Sequence, residues 1–191
     1  MLPVSSLSYN FKNTSRLPLG GARPFGGWET PYPSTEGDDR GHFTGHYLSA
    51  SALMVNATGN TTLRANAEQL VKELGECQDA NANVYPEFGP GYLHASPVIY
   101  FNCLENLWRK PCRYMQEPYY NIHKIMQGLL DQHLLLGNAQ AFDIVTTIDM
   151  NAIPQVFRIL DTTWQGPASK YLADLDRPVY SDRTQKFMRV V

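Results

Sequence analysis

From Gly41 onward, apolar residues recur every three or four positions. Phe43, Tyr47, Leu48, Ala50, Leu53, Met54 and Ala57 form one such set, the spacing of one face of a helix. Gly59 ends the pattern, and Asn60 is suited to cap the helix that follows. In that second helix, from about Thr61 to about Gln78, Leu63, Ala67, Leu70, Val71, Leu74 and Cys77 form a stripe. Arg64, Glu68, Lys72, Glu73 and Glu76 lie on or near the opposite face. The cluster Asp79-Ala80-Asn81-Ala82-Asn83 predicts a turn after it. A third helix is predicted from near Tyr119, presenting Ile122, Ile125, Met126, Leu129 and Leu130, with Gly137-Asn138 as its stop. A fourth starts at Ala139 with Phe142 and Val145, and Pro154 breaks it.

The remaining chain is less regular. Residues 1–39 are rich in Pro, Gly, Ser and Thr and predict an irregular arm, with Gly26-Gly27-Trp28-Glu29 as a fixed point. Residues 84–118 form a long connection with Pro86, Gly89-Pro90-Gly91, Pro97 and Pro111, in which Ile99 to Leu107 is compatible with a short helix. Connections this long inside a domain are often functional. Residues 151–191 have weak periodicity and predict a divergent tail. The organisation is therefore arm, helical unit over residues 40–150, and tail.

The helical unit repeats. Gly59-Asn60 joins one helix pair and Gly137-Asn138 the other. Short joints favour antiparallel neighbours, so each half is an αα-hairpin. His46 lies 13 residues before its glycine and His123 lies 14 before its own. Each histidine thus sits near the start of the leading helix of its hairpin. Hairpins stack because one alone cannot bury its apolar face. In a ring of them, the leading helices line the inside, and their positive ends bring His46 and His123 to one mouth.

Composition narrows the function. The chain has 191 residues, 43 % of them hydrophobic, which is enough for a core. A net charge of −2 gives no basic excess, so no nucleic-acid partner is expected. No apolar run reaches the roughly 18 residues of a membrane span. Met1 to Gly20 lacks the charged-then-apolar pattern of a signal peptide, and the compartment stays open, secretion included. Cys77, Cys103 and Cys112 contain no CxxC pair, which argues against a disulfide framework and ordinary zinc-finger spacing. Aromatics reach 12 % and crowd between Tyr85 and Tyr120. Such side chains suit the faces and hydroxyls of sugar rings, or the packing of a loop-rich segment.

Several segments together carry a resemblance. They are Gly26-Gly27-Trp28-Glu29, Arg40-Gly41-His42-Phe43-Thr44-Gly45-His46-Tyr47-Leu48-Ser49-Ala50, Glu73-Leu74 with Cys77-Gln78, Pro118-Tyr119-Tyr120-Asn121-Ile122-His123-Lys124-Ile125-Met126 with Gly128-Leu129-Leu130-Asp131-Gln132, and Gly137-Asn138-Ala139-Gln140-Ala141. In this order they resemble the N-terminal part of glycoside hydrolase family 127-like proteins, the β-L-arabinofuranosidase type. The resemblance spans about Tyr9 to Val145. It implies an all-α fold, with antiparallel hairpins forming part of an (α/α)6 toroid. It implies a carbohydrate partner and retaining hydrolysis of terminal L-arabinofuranosyl residues of plant-type glycans. It also implies, in complete members, a cysteine nucleophile held with a glutamate and further cysteines around zinc, where the thiolate form is favoured. This chain has no Glu-x-Cys. No nucleophile, metal ligand or cofactor is therefore assigned to it, and the chain alone is expected to be inactive.

What carries over is a sugar-binding wall. By resemblance, His123 contacts substrate, with Tyr119 beside it in the same motif. His46 and His42 face the same pocket, with a packed or capping role the alternative for His42. Trp28 stacks on a sugar or anchors the arm, and Glu29 binds hydroxyls or serves the helix start at Gly41. Two hairpins of a six-hairpin ring would leave a face for the next hairpin, which predicts self-association. Two other readings are a non-catalytic carbohydrate-binding or inert paralogue, and a helical-repeat interaction scaffold.

Overall fold

The computed structural model describes residues 2–30, 39–96, 100 and 118–148, with backbone alone at 87, 118 and 119. The chain divides between Ile153 and Pro154, and every described residue belongs to the first unit. Its helices are α1 (Val4–Leu7), α2 (Tyr9–Thr14), α3 (His42–Thr58), α4 (Thr61–Val84), α5 (Pro118–Leu136) and α6 (139–148). Two single-turn 3-10 helices, Gly27–Glu29 and Pro86–Phe88, complete the described elements. Among the described residues there is no strand. The fold is all-α, built of antiparallel αα-hairpins as in part of an (α/α)6 toroid.

The two hairpin joints use the same chemistry. Gly59 and Gly137 adopt φ of 68° and 71°, the left-handed conformation that ends a helix without cost only at glycine. Asn60 Oδ1 then accepts from the Leu63 N–H at 2.9 Å, and Asn138 Oδ1 from the Ala141 N–H at 3.0 Å. Each asparagine thus satisfies a donor that the first helical turn leaves unpaired.

The leading helices α3 and α5 pack side by side and run parallel. Gly45 faces Lys124, Ile125 and Gly128, while Leu48 and Ser51 face Gln132 one turn further along both helices. The contact is backbone to backbone. A Cβ at Gly128 would lie 2.5 Å from the Gly45 carbonyl oxygen, and one at Gly45 would collide with the Lys124 carbonyl. Gln132 seals the seam, donating to the Leu48 carbonyl at 2.7 Å and to Ser51 Oγ at 3.0 Å. The second helices follow the same order, with α4 meeting α6 through Gly75 against Gln140 and Ile144 and through Gln78 Nε2 on the Ile144 carbonyl. One core fills the space between the layers, with Leu48, Leu70, Leu74, Ile125, Leu129, Ile144 and Ile148 among its members.

Three sequence expectations change. The buried face of α3 is Thr44, Gly45, Leu48, Ser51, Ala52 and Val55, and Phe43, Leu53 and Met54 are exposed. The close approach of α5 selects small residues for the inner face, so apolar bulk marks the outer one. Helix α4 does not stop at Gln78 but runs to Val84. The asparagine-rich segment stays helical because Gln78 Nε2 and Asn81 Nδ2 donate to the Gly91 and Tyr92 carbonyls of the next loop, at 3.4 and 3.0 Å. The arm is not wholly irregular: α1 and α2 place Leu7 and Phe11 in the core. Burying a side chain such as Phe11 contributes roughly 1.5–3 kcal/mol, enough to hold helices too short to form alone. Ser8 Oγ and Lys12 Nζ also meet Glu73 Oε2 of α4, at 2.6 and 2.8 Å. The short helix around Ile99 to Leu107 and the tail 151–191 lie outside the described residues, Tyr100 excepted.

Candidate functional site

The site begins with a glycine that cannot cap its own helix. Gly41 precedes α3 with φ of 94°, and a Cβ there would lie 2.8 Å from Ala95 Cβ and 2.9 Å from Phe11 Cζ. The missing acceptor comes from Glu29. Its Oε2 takes the Gly41 N–H and its Oε1 the Phe43 N–H, both at 2.8 Å. A carboxylate on two free N–H groups at a helix start is a charge-assisted cap that also meets the positive helix end. Asn10 of α2 donates to the Glu29 carbonyl at 2.7 Å, and the Asp39 N–H to the Trp28 carbonyl at 3.1 Å. The Gly26-Gly27-Trp28-Glu29 turn is thereby tied to both flanking segments.

His42 packs beside that cap. It is 6 % exposed, with Nδ1 3.0 Å from Glu29 Oε1 and 2.5 Å from the Asp39 carbonyl oxygen. Burial acts to lower its pKa. The hydrogen bond to Glu29, the Asp39 carbonyl and the two carboxylate charges outweigh it and hold the imidazole above its ordinary 6.5. His46, one turn on, is exposed, and its ring lies 6.0 Å from that of His42 in an edge-on arrangement. Its pKa is lowered, first by partial burial and then by the charges of Lys124 and His42. The two rings therefore differ in charge over the same pH range. His42 carries a proton where His46 is neutral, and a neutral imidazole offers one donor and one acceptor.

Around these rings stands an aromatic rim. Trp28 is 54 % exposed, with its ring centroid 6.1 Å from that of His42. Phe43 is exposed and packs edge-on against Phe25 at 6.2 Å. On α5, Lys124 Nζ sits 4.8 Å over the Tyr120 ring, an i,i+4 cation–π pair. His123 is exposed on the same turn, whose Lys124 carbonyl faces Gly45, so His46 and His123 stand at one level of the parallel pair.

The structure thus brings Trp28, Glu29, His42 and His46 into direct succession and sets His123 on the neighbouring helix. Tyr119 lies in the first turn of α5, with its side chain outside the described residues. Glu29 holds the helix start, and His42 packs against that cap. Sequence reading missed Lys124, Phe43 and Phe25, although the Tyr120–Lys124 spacing signalled the first. It also missed Arg40, buried beside this helix start, whose Nη2 donates to the Tyr100 hydroxyl at 2.6 Å.

The described residues do not fit a zinc centre. No three His, Cys, Asp or Glu side chains among them gather closely enough to hold a metal ion. Cys77 lies in the hydrophobic core, and burial pushes its thiol up to about 12, the reverse of what a metal ligand or nucleophile needs. Cys103 and Cys112 lie outside the described residues.

Parallel leading helices of a helical-hairpin domain thus carry an aromatic and imidazole rim at their N-terminal ends. The family model for beta-L-arabinofuranosidase, GH127 catalytic domain, matches residues 1–163, and the chain belongs to this family. The match runs beyond the Tyr9–Val145 span of the quoted motifs at both ends. No curated protein matches the chain. No helix among the described residues is long and apolar enough to cross a membrane.

Proposed function

We infer that this chain provides a substrate-binding wall of a retaining glycosidase acting on terminal L-arabinofuranosyl residues of plant-type glycans. Trp28 offers a stacking face, and His46, His123 and Tyr119 offer hydrogen bonds to hydroxyls. Glu29 and His42 act one step behind them, tying the Gly27–Glu29 turn that carries Trp28 to the α3 start from which His46 projects. The observation that carries this reading is the pairing of an exposed tryptophan with exposed histidines at one level of two parallel helix starts. Helices that begin side by side also align their positive ends, which favours electron-rich hydroxyl oxygens there.

The chain as it stands is not itself hydrolytic in this reading, since it has no Glu-x-Cys and Cys77 is locked in the core. Its exposed α3 face, Phe43, Leu53 and Met54, favours self-association. Calorimetric titration with methyl β-L-arabinofuranoside tests the binding role. Saturable heat with the L-arabinofuranoside and none with methyl β-D-glucopyranoside is expected. No heat from a folded chain would refute it. Release of p-nitrophenol from p-nitrophenyl β-L-arabinofuranoside by the pure chain would refute the non-hydrolytic part.

A further inference from the structure

At the start of α3, three groups are arranged so that one proton couples them. The Glu29 carboxylate is 4 % exposed, and each oxygen already accepts one backbone N–H. His42 Nδ1 faces two oxygen acceptors, Glu29 Oε1 and the Asp39 carbonyl. Nδ1 therefore keeps its hydrogen in either charge state, and Nε2 is the atom that titrates. Trp28 is bonded to Glu29 in sequence, its carbonyl accepts from the Asp39 N–H, and its ring stands 6.1 Å from the His42 ring. The Trp28 backbone is thus tied to Glu29 and to the Asp39 segment that also bonds His42, and its indole faces the His42 ring.

We propose that Glu29 and His42 form a proton-dependent clasp that seats the Trp28 ring at the α3 start, firm when His42 is charged and loose when it is neutral. Both are positioning residues, since they act on sugar only through Trp28. The clasp deepens the sugar-binding reading and rests on it for the identity of the ligand alone.

The surrounding charges set the direction. Glu29 from the 3-10 turn and Asp39 from the segment before α3 both favour the charged imidazole. His46 is the titratable neighbour on the same helix, and Lys124 of α5 acts on His46. Arg40, buried just before α3, turns its guanidinium to Tyr100. Because the folded value is raised above 6.5, the clasp is fully present below 6.5 and is lost as pH rises through the folded value.

The test uses the full chain with Trp108→Phe and Trp164→Phe, which leaves Trp28 as the single tryptophan. Its emission and its quenching by acrylamide are followed from about pH 5 to about pH 9, the range that spans histidine titration. One transition with a midpoint above 6.5 is expected, with quenching greater on the alkaline side. It should vanish in His42→Gln, shift to lower pH in Glu29→Gln, and persist in His46→Gln. A flat profile, a midpoint at or below 6.5 in the parent, or persistence in His42→Gln overturns the clasp. If His42→Gln fails to fold by circular dichroism, the parent midpoint and the His46→Gln profile still decide. Affinity for methyl β-L-arabinofuranoside should fall about threefold or more across the transition. If the transition appears and no sugar binds at any pH, the ligand reading fails and the clasp stands.

Discussion

Replacing Gly45 by alanine attacks the tightest glycine contact among the described residues. The new Cβ would collide with the Lys124 carbonyl of α5, and that carbonyl belongs to a helix backbone. No rotamer change can relieve it, so the two helices must separate. Overpacking a tight contact costs about 1–3 kcal/mol, and a backbone partner puts this site at the upper end. Alanine returns about 1 kcal/mol through its better helix propensity. The net loss is about 2 kcal/mol, or a fall in Tm of about 4–8 °C for a chain of this size. Gly75→Ala in α4 is the matched control. Its Cβ would meet Gln140 Nε2 at 2.8 Å, the end of a flexible, exposed side chain that can swing away, and the Ile144 Cδ1 methyl at 3.3 Å, which needs to give by only a few tenths of an ångström. That variant should be unchanged or slightly more stable. Differential scanning calorimetry of both decides the matter. An unchanged or raised Tm for Gly45→Ala would refute the account of the α3–α5 seam.

The hairpin joints and the arm give further tests. Asn60→Ala and Asn138→Ala each remove one helix cap and should each cost about 1 kcal/mol in urea unfolding. A loss at only one of them would break the equivalence of the hairpins. Glu73 resists burial through its bonds to Lys12, Ser8 and Gln69, which hold its pKa below 4.5. Its contribution is therefore present above 4.5 and lost as pH falls through the folded value. The stability advantage of the parent over Glu73→Gln should vanish in acid, and an advantage that grows on acidification would contradict the assignment. His46 has a lowered value, so its protonation opposes folding. His46→Gln should gain relative to the parent as pH drops below 6.5, as read by thermal melts.

Much of this architecture was legible in the sequence where local chemistry decides it. Gly59-Asn60 and Gly137-Asn138 each combine a left-handed glycine with a capping amide, and both read correctly as joints. The end of α4 was hidden because Gln78 and Asn81 look like turn formers until their tertiary acceptors at Gly91 and Tyr92 are known. The inner face of α3 was hidden for a related reason. At a backbone contact, glycine, serine and alanine are the packing residues, and hydrophobicity points to the wrong side. Glu29 was legible as a candidate, with service to the helix start at Gly41 as one of its two readings. The 2.8 Å bonds to Gly41 and Phe43, twelve and fourteen residues away, show the capping role.

The central claim is that His123 and His46 form one sugar-contacting face across two hairpins. Imidazole proton and nitrogen resonances of the five histidines, followed by NMR during titration with methyl β-L-arabinofuranoside, test it site by site. The account predicts saturable shifts of the His123 and His46 rings with one shared affinity, while His94 and His133 stay in place. A titration that leaves His123 unmoved, or that moves it equally with methyl β-D-glucopyranoside, would contradict it.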